Sequence, residues 1–119
     1  MNPSNRLAKG RSASNNVWFN YIRHAKKVGV RFRLLRKTFD AITQEPCHYC
    51  GTLPSNVRRV KRGHGEFTYS GIDRKDSSKD YIRQNVVPCC MICNRMKHRL
   101  GYQQFLRQIK RIFKWRKLR

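Results

Sequence analysis

Two Cys-x-x-Cys pairs constrain this chain more than any other feature of its sequence. Cys47 and Cys50 form the first pair, and Cys90 and Cys93 form the second, about 40 residues later. This pattern is typical of a closed tetrahedral zinc site with four thiolate ligands, which stabilises a fold and leaves no position open for substrate. Cys89 has the wrong spacing for a ligand, so we expect it to be a small buried apolar side chain.

The size and cysteine content of the chain favour one zinc-stabilised domain over a disulfide framework. A chain of 119 residues buries a modest core, so a structural metal would assist its folding. The cysteine count of 5 is odd, and no apolar signal segment or membrane-length apolar run is present. We therefore expect a reducing, intracellular compartment, with the mitochondrion as an option because the N-terminus is basic and rich in serine.

The net charge of +22, from 28 basic and 6 acidic residues, predicts a polyanionic partner. We expect nucleic acid, DNA or RNA, contacted through its phosphates, and no membrane partner. The candidate contacts are cations of a basic loop, of the helix after the second cysteine pair and of the C-terminal helix and tail: Arg58, Arg59, Lys61, Arg62, Lys97, Arg107, Lys110, Arg111, Lys114 and Arg116.

Apolar periodicity upstream of the first cysteine pair predicts two helices and a short strand. The first helix begins after a cap at Asn15 or Asn16 and ends before Gly29, with Trp18 and Tyr21 on its core face. Base stacking is the alternative for these two rings. A strand over residues 30–34 and a helix over residues 36–44, burying Phe39 and Ile42, follow. Residues 1–16 are interpreted as a basic flexible arm.

The segment between the cysteine pairs predicts a β-hairpin, with strands over residues 67–74 and 81–87. Residues 52–66 are expected to form a basic loop. A helix over residues 94–98 follows the second pair, and Gly101 separates it from a last amphipathic helix. We expect residues 17–113 to form the domain, residues 114–119 to form a basic tail, and the last helix to bury Tyr102, Phe105, Leu106, Ile109, Ile112 and Phe113.

A cysteine knuckle, a hairpin and a second knuckle that opens a helix describe a treble clef. The segments CHYCG, GIDRKD and NVVPCCMICNRMK resemble the HNH endonuclease family in its ββα-metal form. The similarity is greatest to small phage- and virus-type members, which have a helix, an FxL strand and a PCxYCG knuckle upstream, here residues 32–34 and 46–51. It covers most of residues 17–113. It implies an α+β, zinc-stabilised domain with N-terminal helices and a C-terminal amphipathic helix.

The resemblance also implies an activity and its residues. HNH enzymes hydrolyse phosphodiester bonds with a divalent metal, here Mg²⁺ or Mn²⁺ in addition to the structural Zn²⁺. Carried over, Asp73 and Asn94 are metal ligands, and Asn85 is the residue that orients the general base. His98 lies one turn after Asn94, so it is either a further ligand or a surface histidine.

The general-base position departs from the family pattern because it holds Arg74. A guanidinium group cannot accept a proton near neutral pH, but it could bind the scissile phosphate. Catalysis would then use a water activated by the metal alone, or Asp76 or His64 as the base. The site could also be inactive.

Three hypotheses follow. The first is a metal-dependent endonuclease that cleaves DNA. The second is a catalytically inactive HNH-fold protein that binds RNA in a ribonucleoprotein such as a mitochondrial ribosome; Arg74 and the basic termini favour it. The third is a DNA-binding regulator that does not cleave. It is the weakest of the three, because the sequence shows no recognition helix with a base-contact pattern.

Overall fold

The computed structural model describes residues 9–118. Four helices and four short strands make up an α+β domain. A 3₁₀ turn, Arg83–Asn85, precedes the last strand. In chain order the elements are α1 (Arg11–Val28), α2 (Arg36–Ile42), β1 (Asn56–Arg59), β2 (Glu66–Tyr69), β3 (Gly71–Arg74), β4 (Val86–Cys89), α3 (Met91–Lys97) and α4 (Tyr102–Arg116).

Helix α1 begins earlier than the sequence predicts. Gly10 precedes its first residue with a left-handed φ of 82°, so the predicted cap at Asn15 or Asn16 is wrong. A Cβ atom at position 10 would lie 2.7 Å from the carbonyl oxygen of Glu66, so this close approach also requires glycine. Residues 11–16 of the predicted flexible arm are therefore helical, and residues 1–8 of that arm lie outside the described residues.

An aromatic core joins α1 to α2 and to the segment between them. The Trp18 ring meets Phe32 and Phe39 edge-on, each at a centroid distance of 5.1 Å. The prediction that Trp18 and Tyr21 serve the core is confirmed, since both pack against the buried cluster that contains Phe39. The predicted strand over residues 30–34 contributes only one β-bridge, between Phe32 and Tyr81.

Two antiparallel hairpins replace the single predicted one. Strand β1 pairs with β2, so part of the predicted basic loop is a strand. Strand β3 pairs with β4 in a separate sheet, in which Asp73 lies opposite Val87. The break falls at Ser70, whose N–H donates to the Thr43 carbonyl at 2.7 Å and whose hydroxyl donates to the Glu45 carbonyl at 2.7 Å. These two bonds take Ser70 out of both ladders.

Helix α4 is mostly outside the core. Of the six apolar residues expected to be buried, Phe105 is buried, Tyr102 and Leu106 are half-buried, and the other three are exposed. The helix reaches Arg116, so residues 114–116 of the predicted tail are helical. No helix among residues 9–118 is long and apolar enough to cross a membrane.

Candidate zinc centre and active-site pocket

The two cysteine pairs converge on one point. The Sγ atoms of Cys47, Cys50, Cys90 and Cys93 all lie within 4.8 Å of one another. Four sulfurs at 2.3 Å from a tetrahedral zinc ion would be about 3.8 Å apart, and the Cys50 and Cys90 sulfurs are 3.7 Å apart. The donor set and its spacing therefore fit Zn²⁺, as the sequence predicts.

Backbone hydrogen bonds hold the two knuckles in register. The His48 N–H donates to the Pro88 carbonyl at 2.8 Å and so links the first knuckle to β4. The Cys93 N–H donates to the Cys90 sulfur at 3.4 Å. Bonds from the Thr52 backbone N–H and hydroxyl lower the pKa of Cys50 to about 6, which favours the thiolate that binds metal.

Cys89 is not part of this cluster. Its side chain is 1% exposed, and its thiol donates to the Cys90 carbonyl at 3.4 Å. Burial raises the pKa of the Cys89 thiol, so the group stays protonated at neutral pH. The structure agrees with the expectation of a small buried side chain.

A cavity of about 710 Å³ is lined by residues of β3 and of the segment that follows the second cysteine pair. Asp73 and Arg74 reach it from β3, and Asn94 and His98 reach it from the α3 segment. The structure thus brings together four of the residues that the resemblance assigned to one site. Residues of α1, β1 and the segment after β3 also line the cavity, among them Asn20, Tyr21, His24, Arg58 and Tyr81.

The carboxylate of Asp73 is held from two sides. The Tyr49 hydroxyl donates to Oδ2 at 2.7 Å, and the Lys97 ammonium donates to Oδ1 at 3.3 Å. Burial and the adjacent Asp73 carboxylate raise the pKa of Tyr49, so the phenol remains a neutral donor. Asp73 itself is 6% exposed.

Lys97 does not contact solvent, which contradicts its predicted role in binding nucleic acid. Its side chain is 0% exposed, and its Nζ atom donates to the Arg74 carbonyl at 3.1 Å as well as to Asp73. The reason is the position of α3 against β3, which turns this lysine inward. An intramolecular carboxylate and carbonyl therefore take the hydrogen bonds that a phosphate would have accepted.

Arg74 braces the loop that follows β3. Its Nη1 atom donates to the Ser77 carbonyl at 2.6 Å and to the Lys79 carbonyl at 3.0 Å. The guanidinium carbon lies 4.9 Å from the centre of the Tyr81 ring, a cation–π contact. Because a guanidinium has five N–H donors, Nη1 alone serves the loop while the group still lines the cavity.

Asn85 stabilises the same loop and does not contact a base. Its Nδ2 atom donates to the carbonyls of Asp76 and Asp80, each at 3.0 Å, and its Oδ1 accepts from the Asp76 N–H at 3.0 Å. Asn85 thus shapes the loop whose carbonyls hold Arg74, and its expected role in orienting a general base stays a prediction.

The two alternative bases proposed from the sequence are poorly placed. The Asp76 carboxylate accepts from the Ser78 hydroxyl and N–H, which lowers its pKa and makes it a weaker proton acceptor. His64 lies in the turn between β1 and β2 and does not line the cavity.

Sequence reasoning missed His24, which lines the cavity and shares a helix face with Asn20 and Tyr21 at i+4 and i+3 spacing.

The remaining predicted nucleic-acid contacts lie at the surface. Arg59, Lys61 and Arg62 are exposed around the β1–β2 hairpin, and Arg59 forms an ion pair with Glu66 at 2.6 Å. Arg58 is half-buried at the cavity. The five predicted cations of α4 are exposed: Arg107, Lys110, Arg111, Lys114 and Arg116.

Comparison with known proteins supports the resemblance to HNH endonucleases. No protein-family model matches the chain. The solved structure of PacI, a rare-cutting HNH restriction endonuclease that perturbs DNA, is similar with a TM-score of 0.61 and 28% sequence identity, over 85% of this chain and 77% of PacI. The HNH-like fold expected from the sequence is thereby confirmed.

A viral relative adds a sequence match without a function. An uncharacterised protein of Acanthamoeba polyphaga mimivirus is 29% identical over 93 residues, which is 78% of this chain. The chain spans only 16% of that relative's length.

Proposed function

We propose that this protein is a metal-dependent endonuclease of the HNH type that hydrolyses phosphodiester bonds in DNA. The observation that carries the proposal is the cavity in which Asp73, Arg74, Asn94 and His98 meet, on a fold similar to that of an HNH restriction endonuclease. The ribonucleoprotein alternative receives no support from the comparisons.

The cavity offers ligands for a divalent ion. The Asp73 carboxylate, the Asn94 amide oxygen and the His98 imidazole are donors that suit Mg²⁺ or Mn²⁺. A carboxylate has about four lone-pair positions, so Asp73 has capacity beyond its contacts with Tyr49 and Lys97. When bound, the ion supplies Lewis-acid stabilisation of the negative charge on the phosphate. A Zn²⁺ ion in the cysteine site holds the scaffold.

The other groups of the cavity divide the remaining work. Arg74, whose guanidinium group lines the cavity, binds the scissile phosphate and stabilises the charge of the transition state. With His98 assigned to the ion, His24 is the imidazole that accepts the proton of the attacking water. The exposed cations of the β1–β2 hairpin and of α4 bind the DNA backbone on either side.

The test is nicking of supercoiled plasmid by the zinc-loaded chain with Mg²⁺ or Mn²⁺. Asp73→Asn and Asn94→Ala should each abolish nicking, whereas Glu45→Gln, which removes an exposed carboxylate outside the cavity, should leave it unchanged. Asn94 is exposed, so its variant should keep the native fold and zinc content even if the buried Asp73 variant does not. Absence of cleavage by the wild-type chain with both metals and varied DNA substrates would refute the proposal.

A further inference from the structure

We propose that the buried Lys97 ammonium competes electrostatically with the divalent ion for Asp73 and so lowers the metal affinity of the site. The inference rests on the proposed function in one respect, which is that Asp73 is a metal ligand. The new element is Lys97, a buried residue that lowers the metal affinity of the site without binding the metal.

The first observation is where the Lys97 ammonium lies. It is fully buried, contacts Asp73 Oδ1 at 3.3 Å and donates to the Arg74 carbonyl at 3.1 Å. A buried lysine needs such partners because its charge has lost the stabilisation of water. The negative charge of Asp73 is therefore compensated by a positive charge within the protein.

The second observation is that the carboxylate has little room for rearrangement. The Tyr49 hydroxyl holds Oδ2 at 2.7 Å, and the Tyr49 ring packs edge-on against Phe105 at 5.2 Å. Asp73 is thus fixed between a phenol and an ammonium group while it lines the cavity. A divalent ion on this carboxylate would lie within a few ångströms of the lysine charge.

The electrostatic consequence has a definite sign. Like charges at about 4 Å repel strongly in a partly buried site, where the effective dielectric constant is about 20 and not that of water. The Lys97 charge therefore weakens divalent binding, and its removal leaves the Asp73 charge uncompensated and available to the ion. A neutral side chain at position 97 should raise metal affinity.

The experiment measures Mn²⁺ binding directly, from the electron paramagnetic resonance signal of free Mn²⁺ during titration of the zinc-loaded chain without DNA. Lys97→Met should bind Mn²⁺ at least about tenfold more tightly than wild type, which corresponds to about 1.4 kcal/mol. Lys110→Met removes the same charge from the exposed face of α4 and should change affinity by less than about twofold, because solvent and salt screen that position.

A second variant covers a failure of Lys97→Met to fold. Lys97→Gln keeps a hydrogen-bond donor for the Arg74 carbonyl, removes the charge, and should also tighten Mn²⁺ binding. Unchanged or weaker Mn²⁺ binding by a folded neutral variant would overturn the competition.

These outcomes are distinct from those of the proposed function. If Lys97→Met binds Mn²⁺ more tightly but the wild-type chain does not cleave DNA, the proposed competition is supported and the proposed nuclease activity is refuted. If cleavage depends on Asp73 but substitution of Lys97 leaves metal affinity unchanged, the proposed nuclease activity is supported and the proposed competition is refuted. Equal Mn²⁺ affinity of Asp73→Asn and wild type would overturn the competition at its starting point.

Discussion

The buried ion pair between Asp73 and Lys97 makes a quantitative prediction about stability. Lys97→Met leaves a carboxylate that is 6% exposed with the Tyr49 hydroxyl as its remaining side-chain partner. Asp73→Asn leaves an ammonium group that is 0% exposed with the Arg74 carbonyl as its remaining acceptor. Each single substitution therefore strands a buried charge.

The expected cost follows from that burial. Breaking a buried pair by removing one partner costs about 3–5 kcal/mol, because the other charge stays desolvated. The double variant Asp73→Asn, Lys97→Met removes both charges together and should cost much less than the sum of the singles. We expect a coupling energy of about 2–3 kcal/mol, at the upper end of the range for residues in direct contact.

The assay is urea unfolding of the zinc-loaded chain, followed by circular dichroism, for wild type, both single variants and the double variant. The exposed pair of Arg59 and Glu66 provides the control cycle, since surface pairs contribute only about 0–1 kcal/mol. Additivity of the Asp73 and Lys97 effects within about 0.5 kcal/mol would refute the claim that these two charges depend on each other.

Three further predictions concern other parts of the molecule. Removal of zinc by a chelator should unfold the chain, because structural zinc contributes about 10–16 kcal/mol in small zinc domains; retained far-UV circular dichroism in the chelated chain would contradict this, and added Zn²⁺ should restore the fold. Phe105→Ala should lower the free energy of unfolding by about 3–5 kcal/mol, while Ile112→Ala on the exposed part of α4 should change it by less than about 0.5 kcal/mol; equal effects in urea melts would place α4 differently. His24→Gln should slow plasmid nicking by about 10²–10⁴-fold, and His64→Gln should not, with equal zinc content in both; normal nicking by the His24 variant would remove it as the proton acceptor.

The parts of the fold that the sequence predicts well are those set by local spacing. The cysteine pairs converge as their spacing indicates, because each knuckle presents two sulfurs from one short turn. Helix α2 buries Phe39 and Ile42, the two residues its periodicity selects. The hairpin between the pairs exists, and it places Asp73 and Arg74 at the end of β3.

The misses come from interactions between distant segments. The break at Ser70 depends on carbonyls at positions 43 and 45, which no pattern within residues 67–74 reveals. Lys97 is buried because a carboxylate from β3 lies beside it, whereas composition alone assigns a lysine to the surface. His24 lines the cavity because α1 packs beside it, and the sequence does not reveal that packing.

The apolar face of α4 shows the limit of periodicity as evidence. Its spacing is that of a helix with one buried side, and its first turn does bury Phe105 against Tyr49. Beyond that turn no other element packs against the described part of the helix closely enough to bury it. Ile112 and Phe113 therefore have the spacing of core residues but are 44% and 49% exposed. A hydrophobic stripe predicts a helix, but a neighbouring element is required before it becomes core.

The central claim is that the cavity at the end of β3 cleaves DNA with a divalent ion. The most direct measurement is plasmid nicking by zinc-loaded wild-type and Asn94→Ala chains of equal zinc content, with Mg²⁺ or Mn²⁺ and with neither. We expect metal-dependent nicking by the wild type and none by the variant, since Asn94 lines the cavity from an exposed position where substitution should not disturb the fold. Equal nicking by both chains, or none by the wild type with either ion, would contradict it.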